Sequence, residues 1–425
     1  MTYPQAMANS TSLTLADVQQ ARHLIQASAK LLWPGFYPAQ VPLVVYDGQK
    51  TVLWGAQPVG AGWQAEQDSW VFPGRHPQVW ANTYCLLEDG LLAACLLLPS
   101  LPMPCPPTDL AALAVHEAFH VYQHGHSATA WQINELDALT YPATDAEVLM
   151  YRAMEMQALQ RALTAPPATL PDVAAELLHW REAQAAHLAP EQAAYIRAAE
   201  RREGLAHYVE LSFKAAQPDF PSVDFPSVDF PASAVRLRAY TTGAVYGLLL
   251  DRMLDGWKVK VSDEGAALDE LLRSVAGTYR PDGLIPPHFQ QWATAAAEEE
   301  MQHQQRLLHA FETQPGKQLT LRSTANLWPK AFDPMNLKGV GQGRVLHFRF
   351  LQFGNGVVEG ELMNCSCLTQ SSGPHPLSGF QELRLKGVVS VQATPEGWAA
   401  SGEGISVRGR AGTVSESEHG WLIDC

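Results

Sequence analysis

The segment Val115-His-Glu-Ala-Phe-His-Val121 is the most informative stretch of this 425-residue sequence. Residues four apart lie on one face of an α-helix, so a helix over this segment would present His116 and His120 side by side. Two imidazoles at this spacing are typical ligands of one Zn²⁺ ion, which keeps a position open for water or substrate when it is catalytic. Glu117 would lie about 100° round the helix from His116, close enough to hold a metal-bound water. The segment therefore predicts a metal site on a helix.

The residues beside the motif predict the helix that it requires. Four of them are apolar: Leu113, Val115, Phe119 and Val121. This pattern indicates a buried helix, in which histidines without partners would be costly. We expect the helix to have Thr108 as its N-cap, to run to about His124 and to have Gly125 as its C-cap. The alternative interpretation is that both histidines are core residues with ordinary hydrogen-bond partners.

A second segment offers a third ligand. Its polar residues fall at i, i+4 and i+7, which is one helical face: Glu203, His207 and Glu210. Gly204 and Ala206 are small, so the backbone here can approach the helix of the two histidines closely. Glu155, on a helix predicted over residues 144–163, is an alternative third ligand. A charged face in contact with solvent is the interpretation that needs no metal.

The two segments resemble the motifs of gluzincin metallopeptidases. Glu203-Gly-Leu-Ala-His-Tyr208 is similar to the Glu-Gly-x-Ala-x-Tyr signature of that clan, and His116-Glu-Ala-Phe-His120 to its His-Glu-x-x-His motif. The resemblance implies a zincin-like catalytic domain with three Zn²⁺ ligands: His116, His120 and Glu203. It also implies that Glu117 is the general base and that the substrate is a peptide or protein. The interval between the two motifs is longer than in thermolysin-like members, so additional helices must fill it.

Further roles follow from the chemistry of such a site. Glu200 and Glu210 are expected partners of the free ring nitrogens of the histidines, which usually need a carboxylate. Tyr240, close to the start of a helix after residue 235, is the candidate donor to the oxyanion of a tetrahedral intermediate. Tyr208 and His207 are the rival candidates for that role.

The composition excludes several classes of protein. With 43 acidic and 29 basic residues the net charge is −14, which argues against binding to nucleic acid or to an anionic membrane surface. The six cysteines are too few for a disulfide scaffold and form no C-x-x-C pair. The N-terminus lacks a basic segment followed by an apolar run, and the longest apolar stretch is too short to span a bilayer. We therefore expect a soluble, cytoplasmic protein, with its oligomeric state left open.

The patterns along the chain predict an α+β fold. Short apolar runs separated by turn residues predict four strands: 41–46, 50–54, 79–86 and 91–98. Helical spacing predicts a helix over residues 15–32 and a large helical part over 108–313. After residue 314, alternating runs and regularly spaced turns predict a small all-β sandwich or barrel. The predicted domains are a catalytic domain over 1–314 and a β-rich domain over 315–425.

A tandem repeat interrupts the helical part. Three five-residue copies, Asp-Phe-Pro-Ser-Val twice and then Asp-Phe-Pro-Ala-Ser, cover residues 219–233. Proline at every fifth position excludes a helix, so we expect a surface loop.

The sequence is best interpreted as a zinc-dependent metallopeptidase in which an edge strand among residues 41–98 holds the extended peptide. Two alternatives stay open: a catalytically inactive zincin-fold protein that binds or scaffolds, and a zinc hydrolase of a non-peptide amide. The presence of Glu117 favours an enzyme. A weaker alternative has no metal and uses the β domain for assembly.

Overall fold

The described part of the chain, in this computed structural model, confirms the α+β fold class. It comprises residues 13–87, 90–127, 129–217, 230–281, 284–332, 336–371, 373, 375 and 377–425. It contains a mixed sheet in the N-terminal part, a large helical part and a separate, mostly antiparallel sheet at the C-terminus. Most of the tandem repeat, residues 219–229, lies outside the described residues.

Six strands form the N-terminal sheet: β1 Leu43–Tyr46, β2 Lys50–Trp54, β3 Gln64–Glu66, β4 Ser69–Pro73, β5 Thr83–Leu86 and β6 Leu92–Leu97. Their spatial order is β3-β4-β2-β1-β6-β5, and only the β1–β6 pair is parallel. β5 is therefore an edge strand. The sequence predicted four of these strands and missed β3 and β4, because β3 is short and wholly exposed and β4 is only partly buried, so neither shows a clear apolar alternation.

Ten helices lie within the described residues: α1 Leu15–Ala27, α2 Pro107–His126, α3 Ala146–Thr164, α4 Leu170–Ala185, α5 Pro190–Ala199, α6 Leu205–Lys214, α7 Val235–Met253, α8 Trp257–Glu264, α9 Leu268–Arg273 and α10 Pro287–Glu312. Helices α3, α4 and α5 fill the long interval between the two motifs. None of these helices is long and apolar enough to cross a bilayer, and a cytoplasmic location stays a prediction.

Both predicted boundaries of α2 were wrong, and α3 begins two residues later than predicted. α2 has Pro106 as its N-cap instead of Thr108, because Pro107 at the first helical position has no N–H to leave unsatisfied. Gly125 is not a C-cap, since α2 continues to His126. The predicted helix over 144–163 begins at Ala146, after the N-cap Asp145, whose side chain accepts hydrogen bonds from the backbone N–H groups of Glu147 and Val148.

α2 lies at the centre of the largest hydrophobic core. It packs against α1, α6 and strand β6, and the side chains of Val115 and Phe119 are fully buried. The ring of Phe119 meets Trp33 edge to face at 5.2 Å and Trp131 at 5.9 Å. The helix that carries the two histidines is therefore fixed by apolar burial on several sides.

The segment with Glu203 and helix α7 cross with their backbones in contact. A side-chain carbon on Gly204 would lie 2.5 Å from Gly243 Cα and 2.6 Å from the Ala239 carbonyl oxygen. A side chain on Gly243 would in turn overlap the Gly204 backbone. Only glycine fits at either position, and this close approach sets the depth of Glu203 in the core.

The C-terminal part is built from twelve strands in the described residues: β7 Gln318–Phe332, β8 Leu337–Gly339, β9 Arg344–His347, β10 Phe350–Gly354, β11 Val358–Met363, β12 Cys367–Ser371, β13 Phe380–Lys386, β14 Val388–Thr394, β15 Gly397–Gly402, β16 Ile405–Gly409, β17 Thr413–Ser417 and β18 Gly420–Asp424. The first half of β7 pairs with β13 and, in parallel, with β18, whereas its second half pairs with β10. This long strand therefore joins the two halves of the sheet.

The strands enclose a core of their own, but they also contact the helices. Phe311 of α10 packs with Val340 and Leu346, so the division at residue 314 stays a prediction. Lys338 donates to Ser233 Oγ at 2.6 Å. The β-rich part is thus attached beside the segment that precedes α7.

The glycine contact generates a stability prediction. Gly243→Ala should lower the free energy of unfolding by about 1–3 kcal/mol, because the added methyl group has no space between the two backbones. Urea denaturation of the purified protein measures this. Gly125→Ala is the matched control, since a side chain there meets nothing within 4 Å, and it should leave stability unchanged or raise it. Equal effects of the two substitutions would contradict a tight crossing.

Candidate metal centre

Three side chains from the two motifs meet in the core. The possible ligand atoms of His116, His120 and Glu203 all lie within 4.8 Å of one another, and all three residues are buried. His120 Nε2 is 3.6 Å from Glu203 Oε2. Two imidazoles and a carboxylate are a donor set that suits zinc and leaves a further position open. The residues present therefore fit a bound metal ion, whose identity the geometry leaves open.

Glu203 reaches α2 from a short π-helical turn. Residues Glu200–Gly204 form this turn between α5 and α6, with five-residue hydrogen-bond spacing. Such turns are rare and often occur at functional sites, because they shift the direction of one side chain relative to the regular helix. Together with the glycine contact, the turn places the carboxylate of Glu203 next to His120.

The side chain of a glutamine forms a hydrogen bond with the ring of His120. Gln123 Nε2 donates to the Arg202 carbonyl oxygen at 2.9 Å, so its Oε1 is the atom that faces His120 Nδ1 at 2.7 Å. Nδ1 is then the nitrogen that donates to Gln123, and Nε2, on the side of Glu203, is the nitrogen that could bind a metal. Sequence reasoning missed Gln123; its signal is the position three residues after His120 on the same helix.

His116 has an acidic partner on α6. Its Nδ1 lies 3.2 Å from Glu210 Oε2, and His207 Nδ1 lies 3.0 Å from the same oxygen. Lys214 contacts the other oxygen of Glu210 at 3.3 Å. The structure thus brings the predicted partner Glu210 to His116, and His207 contacts the same oxygen of Glu210. His116, His207 and Glu210 form a second group that could hold a metal ion.

The surroundings shift the pKa values of Glu117 and Glu203 in opposite directions. Burial raises the pKa of Glu117 above its usual value, and His116 and His120 only partly oppose this. Burial would also raise the pKa of Glu203, but His120 and Arg236 outweigh it, so that this pKa lies below its usual value. Glu117 therefore binds a proton more readily than an ordinary glutamate, whereas the nearby Glu203 stays ionised. Two acids with pKa values shifted in opposite directions are typical of active sites.

Tyr240 borders the same cluster. Its ring stacks on His116 at 5.8 Å with an interplanar angle of 6°. Burial, with the negative charge of Glu203 next, raises the pKa of the Tyr240 hydroxyl, which therefore keeps its proton. Arg236 lies 5.4 Å from the ring centre and is held by Glu203 at 3.2 Å and by Glu135. The structure brings Tyr240 to the site, together with Arg236.

The structure does not bring Glu155 or Glu200 to the histidines. Glu155 accepts from Arg181 at 3.0 Å and from Arg238. Glu200 accepts from Arg181 at 2.8 Å and from Thr242 at 2.7 Å. Both acids are buried and satisfied there, and neither belongs to a group of potential metal ligands among the described residues. Their expected roles as third ligand and as histidine partner have no support in this geometry.

The rival oxyanion donors differ in position. Tyr208 points away from the cluster, since its hydroxyl donates to Asp251 at 2.5 Å. His207 is partly exposed and is held by Glu210. Tyr240 is the candidate that stacks directly on His116, one of the candidate metal ligands.

Two cavities adjoin the centre. The larger, about 810 Å³, lies between edge strand β5, the segment 135–143, α7, α10 and β8, and Arg236 and Tyr240 line it. The smaller, about 320 Å³, has His120 and Gln123 in its wall. Tyr84 of β5 and Arg202 line both cavities. The edge strand therefore borders the larger cavity along its length, and through Tyr84 it also reaches the smaller one.

Comparison with family models, with curated proteins and with solved structures finds no match for this chain. The resemblance to gluzincins therefore rests on the two motifs and on the cluster that they form in the structure.

Metal content tests the cluster directly. Wild type should retain about one Zn²⁺ per chain after dialysis, and His120→Ala should retain less than about a tenth of that, because one of three ligands is lost. Atomic emission of the purified proteins measures it. His124→Ala is the matched control, one helical turn further on and exposed, and should keep its metal. Loss from both variants, or from neither, would contradict the assignment.

Substitution of Glu155 tests whether this residue is a metal ligand or a partner of the buried arginines. Glu155→Gln should retain the metal but lose about 3–5 kcal/mol of stability, because Arg238 would keep a buried charge without its carboxylate and Arg181 would lose one of its partners. Glu203→Gln should lose the metal. Denaturation and metal analysis on both variants give the answer, and metal loss from Glu155→Gln would restore it as a candidate ligand.

Proposed function

We propose that this protein is a zinc metallopeptidase. The observation that carries the proposal is the cluster of His116, His120 and Glu203 beside the buried Glu117, next to an open edge strand. His116, His120 and Glu203 would hold the metal. Zinc at such a site supplies a Lewis acid that polarises a carbonyl and lowers the pKa of a bound water.

Each side chain near the cluster has a role in this proposal. Glu117 takes a proton from the attacking water and passes it to the leaving amine. Tyr240 donates its hydroxyl hydrogen to the oxyanion that develops on the carbonyl oxygen, and it suits this role because its pKa is raised. Gln123 and Glu210 orient the two imidazoles.

The edge strand supports a peptide as the substrate. β5 pairs with β6 on one side, and its other side faces the larger cavity, which Thr83–Leu86 line. An extended peptide can add to such an edge through main-chain hydrogen bonds, which hold any sequence in a defined register. A substrate without a peptide backbone would not use these groups.

The general base provides the decisive variant. Glu117→Gln should keep its zinc and lose about 10²–10⁴-fold in peptide hydrolysis, since the amide is nearly isosteric but cannot accept the proton. Hydrolysis of a mixture of unstructured peptides by zinc-loaded protein, followed by mass spectrometry, measures this. Glu298→Gln, exposed on α10, is the control that should keep full activity.

The same experiment distinguishes the alternatives. Zinc-loaded wild type that cleaves no peptide would overturn the proposal and would favour a scaffold protein or a hydrolase of other amides. A panel of acylated small amines then separates those two, because only the second would release the amine.

A further inference from the structure

The lining of the smaller cavity includes a cationic side chain but no carboxylate. Nine residues line it: Tyr84, His120, Gln123, His124, Thr129, Trp131, Gln132, Ile133 and Arg202. None is an acid, although the protein as a whole carries a net charge of −14. Its volume of about 320 Å³ corresponds to roughly ten water molecules, which is room for one large residue. A ligand with negative charge and apolar bulk suits this space.

Arg202 has the least compensated charge beside the metal cluster. Its only ion pair with a described residue is to its neighbour Glu203, at a distance of 3.8 Å from Nε. Arg236, in contrast, is held by both Glu135 and Glu203. If Glu203 binds a metal, its charge is shared with that metal, and the guanidinium of Arg202 is left to pair with a ligand.

Trp131 and Ile133 add apolar side chains to the same wall. The Trp131 side chain is 3% exposed, and its ring meets Trp33 and Phe119 edge to face, so its position is fixed by packing. The wall therefore offers an apolar surface close to the guanidinium of Arg202.

We propose that the smaller cavity binds the C-terminal residue of a peptide, whose free α-carboxylate accepts hydrogen bonds from the guanidinium of Arg202. The apolar side chain of that residue lies against Ile133 and the Trp131 ring. The enzyme is then a carboxypeptidase. This inference rests on the proposed function and specifies its substrate class.

The reaction is a simple hydrolysis. The amide bond before the terminal residue breaks, and the hydroxyl of water adds to the acyl carbon. The proton from that water passes through Glu117 to the leaving nitrogen, so that the terminal residue departs as a free amino acid. No other reactant is required.

Paired peptides test the specificity. The probes are an N-acetylated tetrapeptide ending in phenylalanine, as the free acid and as the C-terminal amide. Wild type should cleave the acid at least about tenfold faster, mainly through KM, because the amide lacks the charge that pairs with Arg202. Arg202→Met should bring this ratio close to one, and Arg202→Lys should restore part of it. Lys317→Met, a cation of the β-rich part that pairs with Glu416, should leave the ratio unchanged.

An affinity measurement makes the test independent of turnover. In the zinc-loaded Glu117→Gln variant, N-acetylphenylalanine should bind at least about tenfold more tightly than its amide, and adding Arg202→Met should weaken binding of the acid selectively. Equal affinity for acid and amide would overturn the proposed pocket. So would cleavage of an amidated peptide ending in glutamate at the rate of the free acid, since the anion would then be a side chain. Acid-selective binding without cleavage by wild type would overturn the peptidase function but support the pocket.

Discussion

The burial of three ionisable groups on one helix is the constraint from which the rest of the site follows. His116, Glu117 and His120 are each at most 6% exposed, in a helix whose other faces pack against apolar side chains. Water cannot solvate them, so the protein must supply partners or they must be neutral. The surrounding chain meets this requirement with the carboxylates of α6 and the π turn and with the Gln123 amide.

Those partners are useful only if the elements that carry them are rigid. The backbone contact between Gly204 and Gly243 fixes the distance of the π turn from α7. Arg181 on α4 links Glu155 of α3 to Glu200 of the turn, so the helices inserted between the motifs brace the turn from behind. The insertion therefore has a structural role, and the long interval between the motifs is compatible with a compact site.

Local sequence patterns predicted most residues of the candidate site. They could not predict the contacts between residues that are far apart in the chain. Helix spacing alone predicts that His116 and His120 share a face, and it identifies Glu203 and Glu210 as neighbours on another. It cannot distinguish Glu210, which meets His116, from Glu200, which faces the opposite way toward Arg181. The π turn produces this difference, and a sequence does not reveal a change in hydrogen-bond spacing within an otherwise helical segment.

The strands show the same limit. β2 was predicted with its observed bounds because its side chains are buried, whereas β3 consists of exposed residues that pair only through their backbone. Likewise, the contact of Lys338 with Ser233 joins residues far apart in the chain, so no local sequence pattern predicts it. The predicted fold class was nevertheless confirmed, since it depends on periodicity and not on these pairings.

Arg202 has two roles, one of its backbone and one of its side chain. Its carbonyl oxygen orients Gln123 and through it His120, whereas its side chain lines both cavities. Every amino acid has the same carbonyl group, so the position can change its side chain without disturbing the imidazole. The lining of the cavities can therefore diversify in evolution one substitution at a time, while the candidate metal ligands keep their geometry.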